Sequence, residues 1–370
     1  MLRRDEAVNF NVDSRTIYRV VHGSHAYGLA TPESDLDEKG ICIEPLDHHI
    51  GFLHRFEQQE RMANKGHHCD SVVYSLKKFV KLAVDANPNI IEVLWVDDEH
   101  VRSIDSFGQH LRDIRELFVS KKARFTFASY AHSQIKRIET HRRWLLHPPT
   151  HKPSRAEFDL PEHPIIPTGQ LQTAQALVQK HLDRWQFNDM SQIDPPMRTL
   201  IQATLAEMLA EAQVGADERY RATCRFLGFD ENFLELLSRE RRYRQASDEW
   251  TNHQNWLKNR NPKRAAGERE SGYDLKHASQ CLRLMRMCKE ILAGKGVLVD
   301  RRSIDAEELI AIKMHGAMKY EDLLAEVERL NTECDELYRT SSLKHEPDRR
   351  RIDDIVVQLT FDYLRSKGEV

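Results

Sequence analysis

Two aspartates one residue apart, Asp35 and Asp37, follow a Gly23-Ser24 pair within the stretch HGSHAYGLATPESDLDEKGICIEP. On an extended strand, residues two apart point to the same face, so Asp35 and Asp37 would present paired carboxylates while Leu36 faces away. Gly23 lets backbone approach a phosphate closely, and Ser24 adds a hydroxyl and an N–H beside it. Phosphate repels bare carboxylates, so the two features belong together only if a divalent cation lies between them. All-oxygen donors suit Mg²⁺, with Mn²⁺ as the alternative, and such ions orient an attacking hydroxyl and stabilise in-line phosphoryl displacement. Taken singly, Gly23-Ser24 is an ordinary turn and Asp35/Asp37 a solvated strand edge; the combination argues for a catalytic site.

The elements that would hold these groups can be read from periodicity. TIYRVVHG is a strand ending at Gly23, LDEKGICIEP supplies a second, stopped by Pro45, and CDSVVYS a third. SLKKFVKLAVDANPN is an amphipathic helix with Ser75 as N-cap and Asn87-Pro88 as its stop. The short run IIEVLW fits a strand or a helical turn equally well. From Ser106 onward the pattern is helical, through SFGQHLRDIRELF and FTFASYAHSQIKRIETHRRWLL. A proline-rich connection follows at 147–167, then helices at LQTAQALVQKHLDRW and RTLIQATLAEMLAEA. RRYRQASDEWTNHQNWLKNRNPKRAAGERESG is expected as a basic helix followed by a polar loop. YDLKHASQCLRLMRMCKEILAGKG is a helix ending at glycine, and YEDLLAEVERLNTECDELYRT a packing helix. The expected class is α+β, with a small α/β part at 1–104 and a large helical region at 105–370.

The chain has 370 residues, 40% hydrophobic and 31% charged, enough for a substantial core. A formal net charge of -3 gives no general attraction to nucleic acid, so any such binding needs a local basic cleft. One stretch offers it: Lys121, Lys122, Arg124, Lys136, Arg137, Arg142 and Arg143, interleaved with aromatics. Neither a secretion signal nor a bilayer-spanning apolar run is legible, so a soluble, cytoplasmic protein with no membrane partner is expected. The six cysteines contain no CxxC pair and are expected as reduced, partly buried thiols. His67, His68 and Cys69 do not complete a zinc-ligand set, and none is assigned.

The motif resembles the polymerase-beta-like nucleotidyltransferase superfamily, in particular its family associated with RNA-repair ligases. The resemblance rests on G-S-x-x-Y-G and S-D-x-D followed by G and an apolar strand, here Gly23, Ser24, Tyr27, Gly28, Ser34, Asp35, Asp37 and Gly40. It continues through NPNIIEVLW, FVSKKARFTFASYAHSQIKR and YDLKHASQCLRLMR. It implies a small mixed-sheet nucleotidyltransferase core with a helical addition. A third acid on a neighbouring strand is implied too, and Asp70 is the positional match. Asp35, Asp37 and Asp70 would then hold the metals, while Gly23, Ser24, Lys276 and His277 would contact the nucleotide. Arg283 and Arg286 either extend a positive surface there or lie on an ordinary solvated helix face. Where the family carries a second histidine three residues on, this chain has Gln280, which cannot take imidazole's charge. The implied activity is transfer of NMP from an NTP, such as ATP, to an RNA end, in RNA repair and in association with a repair ligase. Nucleotidylation of a protein or small molecule, and noncatalytic RNA binding, are the alternatives.

Overall fold

Five strands of differing character form the sheet of the computed structural model, which describes residues 10–32, 34–62, 69–164, 169, 172–177, 224, 227–228, 230–260 and 262–370. They are β1 (Thr16–His22), β2 (Asp37–Cys42), β3 (Gln58–Arg61), β4 (Asp70–Ser75) and β5 (Val101–Ile104), in the spatial order β3-β4-β2-β1-β5. The sheet is mixed, because β2 and β4 run parallel while the other pairs are antiparallel. In β1, Ile17, Tyr18, Val20, Val21 and His22 are all buried, the signature of a central strand covered on both faces. The edge strands β3 and β5 lack that pattern: QQER and VRSI are mostly polar and partly exposed, and hydrophobic periodicity does not reveal them.

Local rules explain the helices that flank the site. Ser75 caps Leu76–Val84 by accepting from Lys78 N–H at 3.2 Å. Asn87 caps the Pro88–Ile91 turn by accepting from Asn89 N–H at 3.1 Å, with proline in the first helical turn. The ambiguous IIEVLW run therefore resolves as helical, continuing as a 3₁₀ turn over Glu92–Trp95. Asp274 caps Leu275–Leu292 through His277 N–H.

The chain forms two compact units, one of residues 1–146 with 261–370 and the other His147–Arg260. In the first, the strands share one apolar core with the Ala123–Leu146, Leu275–Leu292 and Tyr320–Thr340 helices, through Tyr18, Phe79, Ile91, Phe127, Leu284 and Leu330. Cys281 and Cys288 donate their thiols to Ala131 O and Ala123 O, at 3.5 and 3.6 Å, where two of these helices pack. All six cysteines are free, and all but Cys69 are buried.

In the second unit Glu231–Asn259 is one helix, capped by Asp230, and Arg155 makes a two-pronged ion pair with Glu240. The described part of the proline-rich connection, 147–164, carries only a 3₁₀ turn at Ala156–Phe158. The helices expected at LQTAQALVQKHLDRW and RTLIQATLAEMLAEA lie outside the described residues, apart from the helical 172–177.

One element differs from expectation. The stretch expected as a polar loop after Asn259 is in large part a helix, Pro262–Ser271, which belongs to the first unit. Proline suits a first turn, the alanine, lysine, arginine and glutamate that follow favour helix, and Gly272, at φ +75°, lets the chain turn away. Ala265 and Glu268 are buried, so this polar-looking helix is a packed element.

Candidate active site

At one end of the sheet, three acidic or imidazole side chains fall in a row across adjacent strands. His22, the last residue of β1, pairs with Asp37, the first of β2, and Asp37 pairs with Asp70, the first of β4. Register partners on neighbouring strands point to the same face, so the Asp37 and Asp70 side chains share one face of the sheet. Asp70 N–H donates to Leu36 O at 3.2 Å, tying the lead-in of β2 to β4. Regular strand begins only at Asp37. Asp35 sits in the irregular lead-in rather than on an extended strand, yet it borders the same cavity.

Gly23 sits opposite Asp37 at φ +67°, and a Cβ there would collide with the Asp37 carboxylate. Its glycine identity thus follows from both backbone conformation and space. Burial raises the Asp37 pKa, as do the charges of Asp70 and then Asp35, while Lys276 and Lys39 counter the shift. Lys39, two residues along β2, donates to Asn89 O, and burial draws its pKa down to about 8.

These groups border a cavity of about 480 Å³, within the range of small-ligand sites. Gly23, Ser24, Asp35, Asp37, Asp70 and Lys276 all line it, as do Lys39, Asn89, Ser279, Gln280, Arg283 and Lys313. Asp37 is half-buried, whereas Asp35, Asp70 and Lys276 are exposed. The three carboxylates face one space without crowding together. Among the described residues, metal-type ligand atoms within 4.8 Å of one another are found at His141, Asp274 and His277.

Beneath the cavity lies a buried polar network. Tyr27 Oη donates to Glu92 Oε2 at 2.6 Å, and Arg283 Nη1 donates to Glu92 Oε1 at 2.7 Å. The Arg283 guanidinium carbon lies 3.7 Å from the centre of the Tyr27 ring. Burial, with Lys39 and Arg283 nearby, holds the His22 imidazole well below its usual pKa and therefore neutral. Arg283, expected on a positive surface, is 2% exposed and is the counter-ion of the fully buried Glu92. Arg286 is likewise engaged by Asp305 and Glu308.

His277 turns away from this cavity, between Gln134 and Asp274. The proposed basic RNA surface is also thinner than its sequence suggests. Lys121 is buried over the Tyr338 ring, Lys122 pairs with Asp85, Arg124 with Asp335, and Arg142 stacks on Tyr320. Lys136, Arg137 and Arg143 remain exposed.

Lys39 was legible in principle, since it follows Asp37 by the same two-residue step that joins Asp37 to Asp35. Lys313, which donates to Leu29 O at 3.1 Å, carries no local signal, because only tertiary packing brings it to the cavity.

A mixed sheet presenting paired aspartates beside a glycine-serine turn, with a large helical region, is the architecture the motif implied. Residues 3–148 match the model of the RlaP family, described as the RNA repair pathway DNA polymerase beta family. This N-terminal part is thus similar to the polymerase-beta-like nucleotidyltransferase superfamily. It is also similar to an uncharacterized 38.9 kDa protein of Enterobacteria phage T4, from the nrdC-mobD intergenic region, with 34% identity over 116 residues. That alignment covers 30% of this chain and 33% of the phage protein's length. No solved structure matches the chain. No helix among the described residues is long and apolar enough to cross a membrane.

Proposed function

We propose that the chain is a divalent-metal-dependent nucleotidyltransferase that moves a nucleoside monophosphate from an NTP, ATP among them, to an RNA end. The observation that supports this most is the register pairing of Asp37 with Asp70, beside Asp35, Gly23, Ser24 and Lys276 around one nucleotide-sized cavity. The RNA context draws on the RNA-repair description of the matching family, and an RNA-repair ligase is the partner that description suggests.

The donor set fits the metal. Asp35, Asp37 and Asp70 offer only carboxylate oxygens, the preference of Mg²⁺ and Mn²⁺, and the raised Asp37 pKa reflects burial first and the neighbouring Asp70 charge second. Bound there, the cation supplies neutralisation of the triphosphate and of the leaving pyrophosphate. Ser24 offers a hydroxyl and N–H to phosphate oxygens, and the Lys276 ammonium balances their charge. Gly23 keeps the Asp37 carboxylate in place by having no side chain. Asp70, which lines the same cavity, would accept the proton of the RNA hydroxyl as its oxygen bonds to the α-phosphorus and the bond to pyrophosphate breaks.

The test incubates the protein and Mg²⁺ with each labelled NTP, defined RNA ends, and protein-only or small-hydroxyl acceptors. Labelled RNA with released pyrophosphate, lost with chelator and reduced at least about 100-fold by Asp37→Asn, is expected. Label retained on protein would shift the acceptor class, and full transfer by Asp37→Asn would remove the proposed metal role.

A further inference from the structure

Away from the cavity, the helices Ala123–Leu146 and Leu275–Leu292 bring together two imidazoles and a carboxylate that the proposed reaction does not use. The ligand atoms of His141, Asp274 and His277 lie within 4.8 Å of one another. His141 Nδ1 is 2.9 Å from Asp274 Oδ2, and His277 Nε2 is 3.7 Å from that same oxygen. For comparison, metal–ligand bonds of roughly 2.0–2.1 Å in tetrahedral array separate donors by roughly 3.3 Å.

The surroundings orient each donor. Gln134 Nε2 donates to Ser133 Oγ at 3.3 Å, which directs its Oε1 toward His277 Nδ1 at 2.7 Å. An amide oxygen only accepts, so Nδ1 carries the proton and the Nε2 lone pair faces Asp274. An imidazole oriented by a carbonyl behind it is the usual support of a histidine metal ligand. Asp274 divides its oxygens: Oδ1 caps the Leu275–Leu292 helix through His277 N–H at 3.0 Å, leaving Oδ2 toward both imidazoles. The three side chains are 10–17% exposed, neither sealed nor on open surface.

We propose that His141, Asp274 and His277 form a second metal site, for a divalent transition metal of the Zn²⁺ class, that ties the Ala123–Leu146 helix to the start of the Leu275–Leu292 helix. Two imidazole nitrogens and one carboxylate oxygen favour such an ion over Mg²⁺, whose preference for oxygen is met by the aspartates of the cavity. His141 Nδ1 donates to Asp274 Oδ2; ligation through that nitrogen would take the other neutral tautomer, with the ring proton moved to Nε2, and water would complete the coordination. Arg137 and Lys276 add positive charge nearby, which sets the expected affinity on the order of micromolar rather than nanomolar. Lys276 precedes His277 and lines the cavity, so the clamp would steady the helix end that carries it.

The experiment strips the full chain with chelator and titrates Zn²⁺ by calorimetry and Co²⁺ by visible absorption. Wild type and Asp37→Asn should each bind Zn²⁺ at this site with equal affinity, which separates it from the nucleotidyl-transfer reading. His277→Gln and His141→Asn should each weaken binding at least about tenfold and abolish the Zn²⁺-dependent rise in Tm, with unchanged circular dichroism. Either variant suffices if the other fails to fold. Unaltered Zn²⁺ affinity in a folded variant, or no binding by wild type at about 100 µM, would overturn the proposal and leave the three side chains as a hydrogen-bonded link between helices.

Discussion

Replacing Gly23 with alanine should inactivate the protein far more than it destabilises it. The backbone there has φ +67°, where a Cβ costs about 1–2 kcal/mol, and the new methyl would occupy the space of the Asp37 carboxylate. Gly28 provides the matched control. It has the same φ of +67°, but a Cβ there would meet Arg302 Cγ and Asp300 Oδ1, part of an ion-paired cluster with Glu99 that includes none of the cavity's aspartates. Both variants should therefore lose about 1–2 kcal/mol by urea melt, with Gly23→Ala at the upper end because a half-buried carboxylate must move. Displacing that carboxylate by about 1 Å is enough for a 100-fold loss, about 2.7 kcal/mol of transition-state stabilisation. Single-turnover transfer of labelled NMP should thus fall about 100-fold in Gly23→Ala and less than about threefold in Gly28→Ala. Equal activity in two folded variants would refute the claim that Asp37's position depends on the empty space at Gly23.

Removing the buried counter-ion with Arg283→Met should cost about 3–5 kcal/mol by urea melt, since Glu92 is left charged and fully enclosed. Adding Glu92→Gln should restore part of that loss, and a double variant no better than the single would contradict the pairing. Lys276→Met should raise the KM for NTP about tenfold with a smaller change in kcat; an unchanged KM would separate Lys276 from the phosphates. Stability should fall as pH drops from about 6.5 toward 4, because His277 has a folded pKa of about 4, below the 6.5 of the free side chain. The unfolded chain takes up that proton first, so thermal melts of His277→Gln should show a flatter pH dependence over this window.

The parts of the site governed by local rules were legible in the sequence. Gly23, the cap at Ser75 and the Asn87-Pro88 stop announce themselves because a turn or a helix boundary needs few residue types, and β1, β2 and β4 each carry a short apolar run, Val20-Val21, Ile41-Cys42 and Val72-Val73. The edge strands were not, since QQER and VRSI bury too little to display one. Arg283 was misread for a different reason. One arginine on a helix has the same local pattern whether it faces water or a buried glutamate, and Glu92 lies 191 residues away in the chain. The Pro262–Ser271 helix was obscured by composition, its charged residues suggesting a loop where propensity and the burial of Ala265 and Glu268 favour helix.

The span that matches the RlaP family ends at residue 148, yet the cavity does not close with residues from that span alone. Lys276, Ser279, Gln280 and Arg283 come from the Leu275–Leu292 helix, and Lys313 comes from further along the chain. The same helix supplies Leu282, Leu284, Met287 and Ile291 to the core that holds Phe79, Ile91 and Phe127. A fragment ending at 148 would expose that apolar surface and leave Glu92 without its arginine, two costs that together take up much of the roughly 5–15 kcal/mol by which a domain is stable. The aspartate motif is thus compact in sequence, while the structure that positions it is not: the second half of the molecule neutralises and packs the floor on which the first half sets its aspartates.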